Sequence, residues 1–210
     1  DRLARFYGTV VNLAIANDWM HKNPFAGIRF QEKEVIREVL TKEEIERMMC
    51  KEFALPRLEY VRDVFIFCVF TGMAYVDVNN LRQEHIVRDN NDDLWIRKAR
   101  QKTNNMCNIP LLKIPQLLME KYKNHPLCTK TGALLPVPSN QKMNSYLKEI
   151  ADFCGIQKNL TTHTARHTFA TVVALANGVS MENIAKMLGH SDIRMTQRYA
   201  KVMDSSIMRD

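Results

Sequence analysis

No pair of cysteines in this sequence has metal-binding spacing. The five (Cys50, Cys68, Cys107, Cys128, Cys154) are odd in number and scattered, with no CxxC. That argues against a zinc finger and a disulfide framework, and for reduced, cytosolic thiols. No apolar run approaches the roughly 20 residues that span a bilayer, so no membrane partner is expected. A secretory signal pattern is also missing, which fits a cytoplasmic location. There are no internal repeats and no low-complexity segments. The first residue is Asp1 rather than Met, as expected of a piece of a longer chain. What is present is 210 residues, 46% hydrophobic and 25% charged. That is the composition of a soluble globular protein with room for one good-sized domain, or one domain plus a fragment.

The charge is one-sided. Thirty Lys and Arg against 23 Asp and Glu leave a net +7. A basic chain of this size favours a polyanionic partner, nucleic acid above all. Solubility alone would account for the same excess.

Apolar residues at helical spacing (Leu3, Phe6, Val10, Leu13, Ala14) predict a helix over 1–20, stopped by "NDWMHKNPF" with Pro24 as breaker. The charged stretch 31–40, "QEKEVIREVL", reads as a linker, so two units are expected, 1–36 and 37–210. In "TKEE", Thr41 and Glu44 form a capping box that starts the second unit. Helices are predicted at 57–70, from there to Leu81, and at 115–123, 139–154, 161–176, 181–188 and 191–201. Asn177-Gly178 stops the fifth of these. Two strand-like runs, "DDLWIRKAR" and "MCNIPLL", flank the polar turn "QKTNN" as a hairpin. The fold class is α+β, mainly α-helical, with a small antiparallel sheet.

The stretch "THTARHTFAT" places His163, Arg166 and His167 at i, i+3 and i+4, on one helical face. As a metal site the cluster is poor. The zinc-protease motif needs Glu after the first His, where Thr164 stands, and an Arg between ligands repels a cation. Core-packed histidines are a second reading. A phosphate site is the third, because a guanidinium grips two oxygens in a fixed fork and a histidine moves protons near neutral pH. That reading requires a nucleophile and further positive charge. "MLGHSDIRMTQRYAKV" supplies His190 after a Gly and Tyr199 nine residues on.

"HTARHTFAT", "MLGHSD" and "QRYAKV", in that order, resemble the signature of the tyrosine recombinase (phage integrase) family. "NDWMHKNPF" resembles the end of that family's core-binding domain, and "FTGMAYVDVNNLR" resembles integrases of Bacteroides-type conjugative transposons and related mobile elements. The resemblance covers nearly the whole chain. It implies a core-binding remnant plus linker at 1–36 and a tyrosine recombinase catalytic domain at 37–210. It also implies a site-specific recombinase acting on double-stranded DNA through a 3′-phosphotyrosine on Tyr199, with no cofactor and no metal. Arg166 would clamp the phosphate, His190 would bond a non-bridging oxygen, and His163 would assist the tyrosine's proton. Lys102, in the hairpin turn, would protonate the leaving 5′-oxygen. His167 is expected to hold its helix against neighbours. A homo-tetramer on DNA and accessory DNA-bending proteins are implied as partners, with the isolated piece a monomer. The tail after Tyr199 is expected to be loose or docked on another copy.

One departure matters. The family's first catalytic Arg lies in a TGxR motif, and here Ala74 takes that place, with Asp77 still following. Arg82, Arg97, Lys98 and Arg100 are candidate substitutes. Strand alternation points Arg100 the same way as Lys102, so Arg100 is the expected replacement. Two other functions fit less of the sequence. "GVSMENIAKMLGHSDIRMTQRYA" reads as a helix-turn-helix, which would bind DNA without chemistry. A type IB topoisomerase-like enzyme would use similar chemistry without strand exchange.

Overall fold

The protein is described by a computed structural model that covers residues 2–28 and 38–207. It divides into two compact units, 1–36 and 37–210.

In the first unit, α1 spans Arg2–Ala16. It ends earlier than the predicted 1–20, and Pro24 is not what ends it. Asn17 Nδ2 donates to Leu13 O at 2.9 Å, Trp19 N donates to Ala14 O, and Asp18 sits at φ 56°. Asp tolerates that left-handed geometry better than most residues, and the chain turns there. Most of the predicted linker lies outside the described residues. Its last residue, Leu40, is not linker: it is fully buried in the larger unit, and its N–H donates to Thr168 Oγ1 at 3.0 Å.

The larger unit is built around one helix. After α2 (Lys42–Cys50), started by the Thr41–Glu44 capping box as expected, comes α3 (Pro56–Thr71). Its side chains from Leu58 to Thr71 are almost all buried, on every side. A helix apolar all round belongs in the middle of a core. Packed on it are α2, α5 (Lys113–Tyr122), α7 (Asn140–Phe153) and α8 (Thr162–Thr168). Arg62, on α3, caps α2 by donating to the carbonyls of Met48, Met49 and Lys51. Asp63 takes hydrogen bonds from Arg62, Lys121 and the Tyr122 hydroxyl, so these buried charges satisfy one another.

From α3 the chain passes through α4 (Tyr75–Asn79) and a tight turn at Gln83–His85 into the sheet. β1 (Ile86–Arg88), β2 (Leu94–Ala99) and β3 (Met106–Pro110) form an antiparallel meander in the order β1-β2-β3. The β2–β3 hairpin is the predicted one. β1 and α6 (Pro126–Thr131) went unpredicted, being too short to show periodicity. Ile96 pairs with Ile109 and Lys98 with Cys107, so Ile96 and Lys98 alternate onto the face that buries Ile109 and Cys107.

The helix predicted over 161–176 is not uniform. α8 gives way to a wide π-helical stretch, Phe169–Ala174, and a tight turn, Leu175–Asn177, before Gly178. Thr168 and Thr171 hydroxyls donate back to the carbonyls of Thr164 and His167, which competes with the regular α ladder. Last come α9 (Met181–Leu188) and α10 (Arg194–Ile207). Residues 200–207 continue α10 as helix, and the last three residues lie outside the described ones.

Candidate active site

Two glycines frame the site. Gly72 ends α3 at φ 67°, and a Cβ there would come within 2.4 Å of Phe169 Cδ1. Gly189 ends α9 at φ 60°, and a Cβ there would meet Arg100 Cδ at 2.6 Å and Cys107 Sγ at 2.7 Å. Both turns need φ above zero and leave no room for a side chain. They let two backbone carbonyls point inward at Arg166.

Arg166, on α8, is 7% exposed. Nη1 donates to Gly72 O at 2.7 Å, and Nη2 donates to Leu188 O and to His190 Nε2, the last at 3.2 Å. Among the described residues no carboxylate touches this guanidinium. Burial, then the neighbouring Arg100, lower its pKa. Arg100 itself follows β2, where Arg100 N–H donates to Asn105 O and closes the hairpin. Its Nε is buried without a hydrogen-bond partner among the described residues, 3.8 Å from Asp77 Oδ2. Asp77 also accepts from Gln101 N at 3.0 Å, so α4 holds the hairpin base beside the site. Asn105 Nδ2 fastens the same hairpin to Gly189 O at 3.3 Å.

His190 follows Gly189. Its Nδ1 is 2.8 Å from Thr196 Oγ1. Burial first, then Arg166, Arg100 and His167, hold its pKa down at about 4, so the ring is neutral at neutral pH. Tyr199, on α10, is 5% exposed, inside an apolar pocket with Phe169, Ala170, Ala174, Ile184 and Leu188. Its ring stacks on His190, centroids 6.2 Å apart and planes at 12°. It also tilts over His167 at 5.2 Å.

The predicted residues thus divide. Arg166, His190, Tyr199 and Arg100 converge from four separated segments. Lys102 sits exposed in the hairpin turn, next to the Gln101 that Asp77 holds. His163 is exposed on the first turn of α8, and His167, one turn on, meets the tyrosine ring. Of the other cations offered for Ala74's place, Arg82 bonds Asn79 O and Leu81 O, Lys98 Nζ lies 3.1 Å from His85 Nε2, and Arg97 is exposed on the opposite sheet face. Thr196 escaped sequence reasoning. A buried hydroxyl one helical turn before a tyrosine gives no signal of its own.

A buried guanidinium and a half-buried one, with Asp77 beside the second, leave an excess of positive charge next to a phenol. Such a site is chemically suited to an oxyanion such as a phosphate. Over residues 38–206 the sequence matches the phage integrase family, and the chain belongs to that family. Tyrosine recombinase XerD of Staphylococcus saprophyticus subsp. saprophyticus is 40% identical over 95 residues, 45% of this chain and 31% of that protein. XerD of Staphylococcus aureus strain N315 is 42% identical over 71 residues, 34% of this chain and 24% of that protein. The matched segment spans less than a third of the length of these relatives. The fold is shared with solved structures. XerA recombinase aligns at TM-score 0.60 and 22% identity, over 84% of this chain and 66% of that one. A lambda integrase dimer bound to a COC' core site aligns at 0.66 and 19%, over 90% and 68%. The Tn1549 transposon integrase in complex with a circular intermediate DNA aligns at 0.63 and 18%, over 99% and 76%.

Proposed function

We propose that this chain carries the catalytic domain of a site-specific DNA recombinase that cuts and rejoins strands for integration or excision of a mobile element. The observation that carries the reading is the convergence of Arg166, Arg100 and His190 around the phenol of Tyr199. Tyr199 attacks a DNA phosphorus, the P–O5′ bond breaks, and Lys102 gives its proton to the departing 5′-oxygen. The 3′-phosphotyrosine is then attacked by the 5′-hydroxyl of a second strand, which releases Tyr199. One phosphoester replaces another in each step, so the reaction requires no energy source.

The transition state carries extra negative charge on its non-bridging oxygens, and stabilising that charge is most of the catalysis. Arg166 and Arg100 clamp those oxygens, and Arg100 stands in for the arginine that Ala74 displaces. Asp77 aims it. His190 bonds one oxygen, and His163, open to solvent on α8, assists the tyrosine's proton. The likeness of "FTGMAYVDVNNLR" supports an integrase of the Bacteroides-type conjugative transposon group, and the stretch 1–36 reads as the end of a core-binding domain. Exchange between two duplexes requires four such sites, hence a tetramer on DNA, with DNA-bending proteins as accessories. The isolated chain is a monomer.

A duplex nicked within the element's end, so that the cleaved strand diffuses away, tests this. Wild-type protein is expected to form a covalent adduct that denaturing gels resolve and Tyr199→Phe abolishes. Binding without adducts would instead leave a DNA-binding module.

A further inference from the structure

His190 stands between two groups that make opposite demands on it. Arg166 Nη2 lies 3.2 Å from its Nε2. A guanidinium has only donors, so Nε2 accepts and carries no proton. On the other side Nδ1 lies 2.8 Å from Thr196 Oγ1. With Nε2 bare, the neutral ring keeps its proton on Nδ1 and donates it to the threonine oxygen. Thr196 is fully buried, so water does not compete for that bond. It lies in the first turn of α10, where its own N–H donates to Ile193 O at 2.8 Å. Tyr199 follows three residues later on the same helical face, its ring stacked on His190.

We propose that Thr196 is a positioning residue of this site: its hydroxyl oxygen holds a permanent N–H at Nδ1 and so makes Nε2 the nitrogen that gains and loses a proton beside the phosphate. This deepens the reading above and rests on His190 as a phosphate-bonding group. Without DNA, the groups facing the ring are Arg166, Arg100, His167 and Tyr199. The two guanidiniums oppose a second proton. An arriving phosphate draws the Arg166 N–H bonds to its own oxygens and brings negative charge to Nε2. Nε2 then takes a proton from solvent. The resulting imidazolium has both N–H bonds satisfied, one on the phosphate and one on Thr196. A carboxylate behind a catalytic histidine plays the same orienting part in hydrolase triads. A neutral hydroxyl orients the ring without drawing a proton onto it early. Because Thr196 and Tyr199 ride on one helix, any displacement of α10 removes the lock and the nucleophile together.

The test is the imidazole nitrogen spectrum of the DNA-free chain, with His190 identified by its loss in His190→Gln. Wild type and Thr196→Ser are expected to show a protonated Nδ1 and a bare Nε2. Thr196→Val keeps the shape and removes the acceptor; Arg166 still keeps Nε2 bare, so the proton is expected to stay on Nδ1 with its resonance moved to that of an N–H without a hydrogen bond. A wild-type spectrum with the proton on Nε2, or a Val variant with the wild-type Nδ1–H resonance, overturns the proposal. Should the Val variant fail to fold, the wild-type and Ser spectra decide. These spectra need no DNA, so a missing Tyr199 adduct would sink the recombinase reading separately.

Discussion

Arg100 is the residue on which the proposed chemistry turns. It is half-buried at the base of the hairpin, its buried Nε has no hydrogen-bond partner among the described residues, and it lies close enough to Arg166 to lower that group's pKa. Removing one preorganised transition-state donor costs about 10²–10³ in rate, so Arg100→Ala should slow cleavage by about that factor. Arg100→Lys should recover only part, because an ammonium cannot bind two oxygens in a fork. Single-turnover cleavage checks both, and a parental rate for the Ala variant would sink Arg100's assignment. His190 gives a prediction about pH. Its folded pKa, about 4, lies below the ordinary 6.5 because burial and Arg166 disfavour the charged ring. The unfolded chain therefore binds the proton first. The stability that neutral His190 confers is intact above 6.5 and is lost as pH falls from there toward 4. Melting temperatures should drop more steeply across that window in wild type than in His190→Gln. Equal slopes would mean the ring is not held neutral.

At the scale of elements, local signals and packing each account for part of the fold. The capping box at Thr41 satisfies backbone N–H groups that α2 would leave open, and Leu40 beside it is locked under Thr168. Thr41→Ala should cost about 1 kcal/mol, a fall of about 2–4 °C in Tm for a domain of this size. Calorimetry checks it, and an unchanged Tm would mean that packing alone starts the helix. The π-helical stretch Phe169–Ala174 had no such local cue. It follows from threonine back-bonding and from the fit of Phe169 over Gly72 and into the Tyr199 pocket.

For the whole molecule, the proposed action on DNA and the excess of 30 basic over 23 acidic residues together predict affinity for a phosphate backbone by counterion release. Binding to any duplex should therefore weaken steeply with salt, with a log–log slope of about −0.9 per phosphate neutralised. Arg100→Ala should reduce that slope by about one unit while weakening binding across sequences alike. Fluorescence anisotropy over a salt series measures both. A flat dependence would remove DNA as the partner.

The sequence alone determined the chemical inventory: the order His163, Arg166, His190, Tyr199 along the chain, Lys102 in a turn, and the gap at Ala74. It also determined most helix starts, because caps, turns and periodicity act within a few residues and are written locally. β2 ends at Ala99, one residue short of Arg100, so strand alternation alone does not set the direction of Arg100 or of the exposed Lys102. Only the tertiary structure decided that Arg100 lies against Gly189 and Asp77, that His167 meets the tyrosine ring, and that Thr196 stands behind His190. Those outcomes depend on how α8, α9, α10 and the hairpin pack. The contacts join residues far apart in the chain, and no short stretch of sequence specifies them.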